Sequence, residues 1–153
     1  MAREGKLNFQ QLKDFEAKLR SLDNRNAFAE ACAKELAARL LAKVIKRTPV
    51  GNYPKGSGKK GGTLRRGWTG EKRASASGYV DSLEITHAGN TYSIEIINPV
   101  EYASYVEYGH RTANHKGWVP GVFMMTISEQ ELQAVAPQIL ERKIKKYMEG
   151  LMK

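Results

Sequence analysis

Apolar residues first return at helical spacing between Phe9 and Leu22, at Phe9, Leu12, Phe15, Leu19 and Leu22, with Lys13, Asp14, Glu16 and Lys18 on the other faces. Recurrence at three and four residues marks one stripe of a helix. Asn8 in front is a favoured N-cap, so a helix is predicted over 8–22. Asp23-Asn24-Arg25-Asn26 is a run of turn formers that interrupts it. A longer stripe follows: Phe28, Ala31, Cys32, Leu36, Leu40, Val44 and Ile45, with Glu30, Lys34, Arg39 and Lys43 lying mainly off it. The many alanines raise helicity further, so a second helix of about 30 Å is predicted over 27–47. Pro49 stops it, and Thr48, preceding proline, is biased to an extended conformation. Lys46 and Arg47 fall at its C-terminus, where positive charge is favoured.

The period then changes to two. Tyr79, Leu83, Ile85 and His87 alternate with Ser82, Glu84 and Thr86, and Tyr92, Ile94 and Ile96 alternate with Ser93 and Glu95. Ala88-Gly89-Asn90 lies between as a turn, which predicts a hairpin over 79–98. Gly67 to Ala76 offers a weaker strand before it. Asn98-Pro99 closes the second strand, and 101–109 reads as a short helix capped by Gly109. Its tyrosines crowd a piece too short to stand alone, so it must lie against the hairpin or another subunit. His110 to Gly121 reads as a loop, and Val122 to Thr126 as either a last strand or a helix start. A C-terminal helix is predicted over 128–151. Its signals are a Ser128–Glu131 capping box, a stripe from Leu132 through Val135, Ile139, Leu140, Ile144, Tyr147 and Met148 to Leu151, and a kink or restart at Pro137. One domain spanning 1–153 follows. Its class is α+β: a small antiparallel sheet with a hairpin, packed by the long N-terminal-half helix and the C-terminal helix.

Charge changes the picture in one place. Residues 46–73 hold nine Lys or Arg and a single acid, Glu71, for a net charge of +8, against +9 for the whole chain. Glycines and prolines recur there, with little apolar surface to offset the entropy of ordering. Residues 48–73 are therefore expected to form a flexible basic arm. Lys55, Lys59, Lys60, Arg65 and Arg66 are its candidate contacts for an acidic partner or DNA. Arg65 and Arg66, beside Leu64 and Trp68, are the expected ordered anchors.

The chemistry of an enzyme is missing. His87, His110 and His115 lack the convergent spacing of metal ligands. Gly56 to Thr63 superficially suggests a phosphate loop, but lacks the required residue order and a preceding apolar strand. No cofactor motif occurs. Cys32, the single cysteine, excludes an internal disulfide, points to a reducing compartment, and sits among alanines as a small apolar residue. No apolar run is long enough to span a membrane, and Met1 to Gln10 lacks the pattern of a secretory signal.

Three segments carry a resemblance. Thr48-Pro49-Val50, then Gly62-Thr63-Leu64-Arg65-Arg66-Gly67-Trp68, then Tyr102-Ala103-Ser104-Tyr105-Val106-Glu107-Tyr108-Gly109-His110 resemble, in that order, the head–tail joining (neck, or tail-completion) proteins of tailed double-stranded DNA bacteriophages. Gly117 to Met125 looks like that family's turn into the C-terminal helix. The insertion Gly51 to Gly61 departs from its simpler members. The resemblance implies a structural subunit of a phage or phage-tail-like particle, not an enzyme, assembled in the bacterial host cytoplasm and resident in the virion neck. It implies a homo-oligomeric ring, here expected to be a hexamer rather than a dodecamer. The implied neighbours are connector or portal-side proteins and tail-tube or terminator proteins, with DNA in the lumen as a further contact. Tyr102, Tyr105, Glu107, Tyr108, His110 and Arg111 are the expected subunit interface, since aromatics and Arg are enriched at such contacts. A basic nucleic-acid-binding module is the competing class, on the strength of a pI of 9.7 and the arm.

Overall fold

The computed structural model describes residues 10–20, 22–72 and 74–152. In chain order it contains α1 (Gln10–Arg20), α2 (Leu22–Arg47), α3 (Thr63–Gly67), α4 (Ala76–Asp81), β1 (Ile85–Ala88), β2 (Thr91–Ile94), α5 (Ala103–Tyr108), β3 (Gly109–Arg111), β4 (Trp118–Pro120) and α6 (Met124–Met152). The class is α+β, with two separate two-stranded antiparallel sheets, β1–β2 and β3–β4, in place of a single sheet.

The frame is an antiparallel pair of long helices. Lys43 and Arg47 near the end of α2 reach Glu131 near the start of α6, at 3.0 and 2.6 Å. Further along, Glu35 meets Lys143 at 2.7 Å, and at the far end the Phe28 and Tyr147 rings stack with centroids 4.4 Å apart. Both acids titrate below their ordinary value. For Glu35 the main cause is the hydrogen bond from Lys143, and for Glu131 the one from Lys43, each partly opposed by desolvation.

The core gathers at the α2 C-terminal half: Ala37, Leu41 and Val44, with Leu64, Trp68, Val80 and Met124. Each large apolar side chain so buried contributes about 1.5–3 kcal/mol. Thr48, fully buried, ties it together. Its hydroxyl donates to the Val44 carbonyl at 2.7 Å and accepts from the Trp68 indole Nε1 at 2.8 Å. Its own carbonyl accepts two bonds from the Arg65 guanidinium, at 3.1 and 2.7 Å. Asn98 adds a second tie, donating to the Leu64 carbonyl at 2.7 Å and accepting from Val100 N at 3.1 Å. Gly67 packs so closely that a Cβ there would collide with the Asn98 carboxamide and the Val100 side chain.

Several expectations change. Asn8 lies outside the described residues. Asp23 to Asn26 do not break the chain but form the start of α2, where Asp and Asn suit a helix N-terminus as well as a turn. Asn26 is also held there by the Tyr92 hydroxyl at 2.7 Å. Residues 79–81 are helical, not strand, because Ser75 caps α4 by accepting from Gly78 N and Val80 is buried in the core. The hairpin itself is shorter than 79–98 and turns at Gly89, whose φ of +59° a glycine adopts without strain. Among the described residues of 67–76 there is no strand: Gly67 ends α3 and turn hydrogen bonds follow, Thr69 N to Arg66 O and Glu71 N to Arg66 O among them. His110 to Gly121 is a hairpin in its own right. Ser128 lies inside α6, its hydroxyl bonded to the Met124 carbonyl and to Arg47 Nη1, so the capping box does not form. The helix α6 does not restart at Pro137 but runs through it as one element.

Candidate assembly surface

The basic segment divides in two. Its second half is folded onto the core: Leu64, Trp68 and Thr69 are buried, Arg65 clamps Thr48, and Arg66 donates to the Gly61 carbonyl at 3.2 Å. Of the expected arm over 48–73, residues 62–69 are therefore part of the folded body, and residues 51–60 form an exposed loop. The ends of that loop pinch together, since a Cβ on Gly61 would collide with the Gly51 carbonyl. Lys55, Lys59 and Lys60 are exposed along it. Lys59 Nζ sits 5.9 Å from the centroid of the Tyr53 ring, and among the described residues none of the three lysines has an acidic partner. Tyr53, Lys60, Gly61 and Tyr102 share one cleft of about 240 Å³. The loop thus abuts α5.

Helix α5 is six residues long, too short to persist alone. Glu107 fixes it. The residue is only 6% exposed, and its carboxylate accepts from Met125 N and Thr126 N at 2.9 Å each and from the Thr126 hydroxyl at 2.7 Å. Acceptance of the first free N–H groups of a helix by a carboxylate is an N-terminal cap, favoured also by the helix dipole. The backbone adds Val122 N to Val106 O at 2.8 Å and Phe123 N to Glu107 O at 3.0 Å. Gly109, at φ +90°, lets the chain leave α5 and enter β3 with no room for a Cβ against Val119 and Gly121.

Glu107, expected at a subunit contact, is therefore turned inward and serves the fold. The tyrosines around it point out. Tyr102, Tyr105 and Tyr108 are 43, 58 and 64% exposed. Tyr102, Tyr105, His110 and Arg111 line one open depression of about 420 Å³, with the Tyr105 and His110 rings edge to face at 6.1 Å. Tyr108 faces a separate hollow beside Ile97 and meets Phe123 edge to face at 6.4 Å. Trp118 and Val119 on β4, 61 and 40% exposed, extend the apolar surface. Sequence reasoning missed them because three-residue strands carry too little alternation to register. A helix anchored by Glu107 thus presents three exposed tyrosines to solvent, around two neighbouring hollows.

Among the described residues no group of His, Cys, Asp or Glu could hold a metal ion, and no helix is long and apolar enough to cross a membrane. Cys32 is partly buried, and burial pushes its thiol up, against a smaller opposing pull from Lys143.

One protein-family model matches residues 13–109, more than half of the chain, under the description "Bacteriophage HK97-gp10, putative tail-component". The matched span contains Thr48 to Val50, Gly62 to Trp68 and Tyr102 to Gly109, the segments that tie the core and build α5. No curated protein and no solved structure matches the chain.

Proposed function

This chain belongs to the HK97-gp10-like family of bacteriophage tail components, and on that premise we propose that it joins or completes the tail at the head–tail neck as one subunit of a homo-oligomeric ring. The family is structural, not enzymatic. One observation carries the reading: Tyr102 and Tyr105 stand exposed around a single depression with His110 and Arg111, on a helix locked to the core by Glu107. Aromatic anchors held rigid in the free subunit lose little side-chain freedom on docking, which favours a repeated subunit contact. The connector or portal side and the tail-tube or terminator side are the neighbours such a ring would meet.

The test is sedimentation velocity with electron microscopy on wild type, Tyr105→Asp and Tyr108→Asp. Rings in the wild type and loss of rings in Tyr105→Asp are expected, since a buried aromatic anchor is worth about 2 kcal/mol or more per contact. Rings of unchanged mass and stability in both variants would overturn the assignment of α5 to the subunit contact.

A further inference from the structure

Charge is segregated along the chain beyond the basic loop. No Lys or Arg occurs from residue 74 to residue 110, while Asp81, Glu84, Glu95, Glu101 and Glu107 do. Glu107 is internal, but the other four are exposed. Glu84 and Glu95 lie immediately outside the Ile85–Ile94 pair, so two like charges flank the base of the β1–β2 hairpin. Asp81 ends α4 just before it and rims a groove with Ala31, Lys34, Glu35 and Ala38; Lys34 makes no ion pair with it. Among the described residues none of these four acids has a hydrogen-bond or ion-pair partner. Like charges set close together on a strand pair are unfavourable until a cation neutralises them.

We propose that the loop 51–61 of one copy docks on the acidic hairpin base of the next, Lys55, Lys59 and Lys60 against Asp81, Glu84 and Glu95. This rests on the ring reading and names its second face. The two surfaces are complementary in sign, and neither is neutralised within the described part of its own chain. They are different patches, so the contact is heterologous, and repeated head to tail it generates a ring where the rotation closes. The loop side is continuous with the tyrosine surface, because Lys60, Tyr53 and Tyr102 line one cleft. The nine residues between the pinched glycines can extend about 17 Å out and back, enough to cross a subunit boundary. Exposed pairs of this kind contribute modestly to affinity but steer encounter and set orientation, so the loop acts mainly to make the subunits meet head to tail.

The test is a charge swap read by sedimentation equilibrium at low and high salt, with circular dichroism melts confirming folding. One variant carries Lys55→Glu, Lys59→Glu and Lys60→Glu, and the other carries Asp81→Lys, Glu84→Lys and Glu95→Lys. Each alone should self-associate about tenfold more weakly than wild type at low salt, and high salt should shrink the difference. An equimolar mixture should regain association, because every loop then meets a hairpin of opposite sign. If Tyr105→Asp breaks the rings while both charge variants assemble like wild type and gain nothing on mixing, the docking is wrong and the ring reading stands. If the lysine variant loses only duplex DNA binding, the loop serves DNA and the docking is likewise overturned. A wild type that stays monomeric at every concentration and salt overturns it too.

Discussion

Replacing Glu107 separates a structural role from an interfacial one. In Glu107→Ala the three bonds to Met125 N, Thr126 N and the Thr126 hydroxyl disappear. The two N–H groups at the start of α6 then lose their acceptor. A lost N-terminal cap costs about 0.5–2 kcal/mol, and removing an anion from the helix N-terminus about 0.3–1 kcal/mol more. With the cavity left by the truncated side chain, a total of about 3 kcal/mol is expected. For a domain near this length each kcal/mol lowers Tm by about 2–4 °C, so Glu107→Ala should melt about 6–12 °C lower. Glu107→Gln keeps the shape and one good acceptor and should lose about half as much. Differential scanning calorimetry measures both. Self-association measured well below the lowered Tm should match wild type, since the carboxylate touches α6 and not the surface. Melting temperatures within a degree of wild type would refute the capping argument. Wild-type melting with weakened association would return Glu107 to the interface.

Two further outcomes follow from the packing. Gly67→Ala should lower stability by about 1–3 kcal/mol, because its Cβ must displace Asn98 from the Leu64 carbonyl; Gly150→Ala, in open space inside α6, should be neutral or stabilise by up to about 1 kcal/mol, and denaturant titration that finds the two equal would refute the close-packing account. Glu35 and Glu131 both titrate below 4.5 when folded, so they hold protons less readily in the native state than in the unfolded one. Their stabilisation is present above pH 4.5 and lost as pH falls through the lowered values. A Glu35→Gln/Glu131→Gln variant should therefore melt below wild type at neutral pH and converge with it in acid; a constant gap across pH would show that these pairs do not carry the acid sensitivity.

The two long helices were legible because their stripes are long and periodic, and the β1–β2 turn because Gly89 sits between alternating runs. Misreadings arose where tertiary contacts outweighed local signals. Ser128 and Glu131 look like a capping box, yet Arg47 and Lys43, more than eighty residues earlier in the chain, engage both side chains, and the helix starts at Met124. The real cap, Glu107, lies 17 residues before Met124 and no local pattern could identify it. Thr48 and Trp68 were visible as motif residues, but their shared hydrogen bond was not, because it depends on how the chain closes over α2. At the candidate surface, the excess of tyrosines in Tyr102 to Tyr108 was legible as a cluster, and all three stand exposed. For Glu107, in their midst, a charged residue between aromatics gave the wrong direction, since its acceptors' partners lie in another helix.

The pinch between Gly51 and Gly61 makes the length of what lies between them a free design variable. Arg65 holds the chain at Thr48 before the gap and Arg66 holds Gly61 after it, while residues 52–60 between them are all exposed. Doubling such a loop adds only about 0.6 kcal/mol of closure entropy, so its reach and charge can be retuned while Thr48, Trp68 and α5 stay in place. A lineage could thus refit the same subunit to neighbours of different size or charge by editing one stretch of chain.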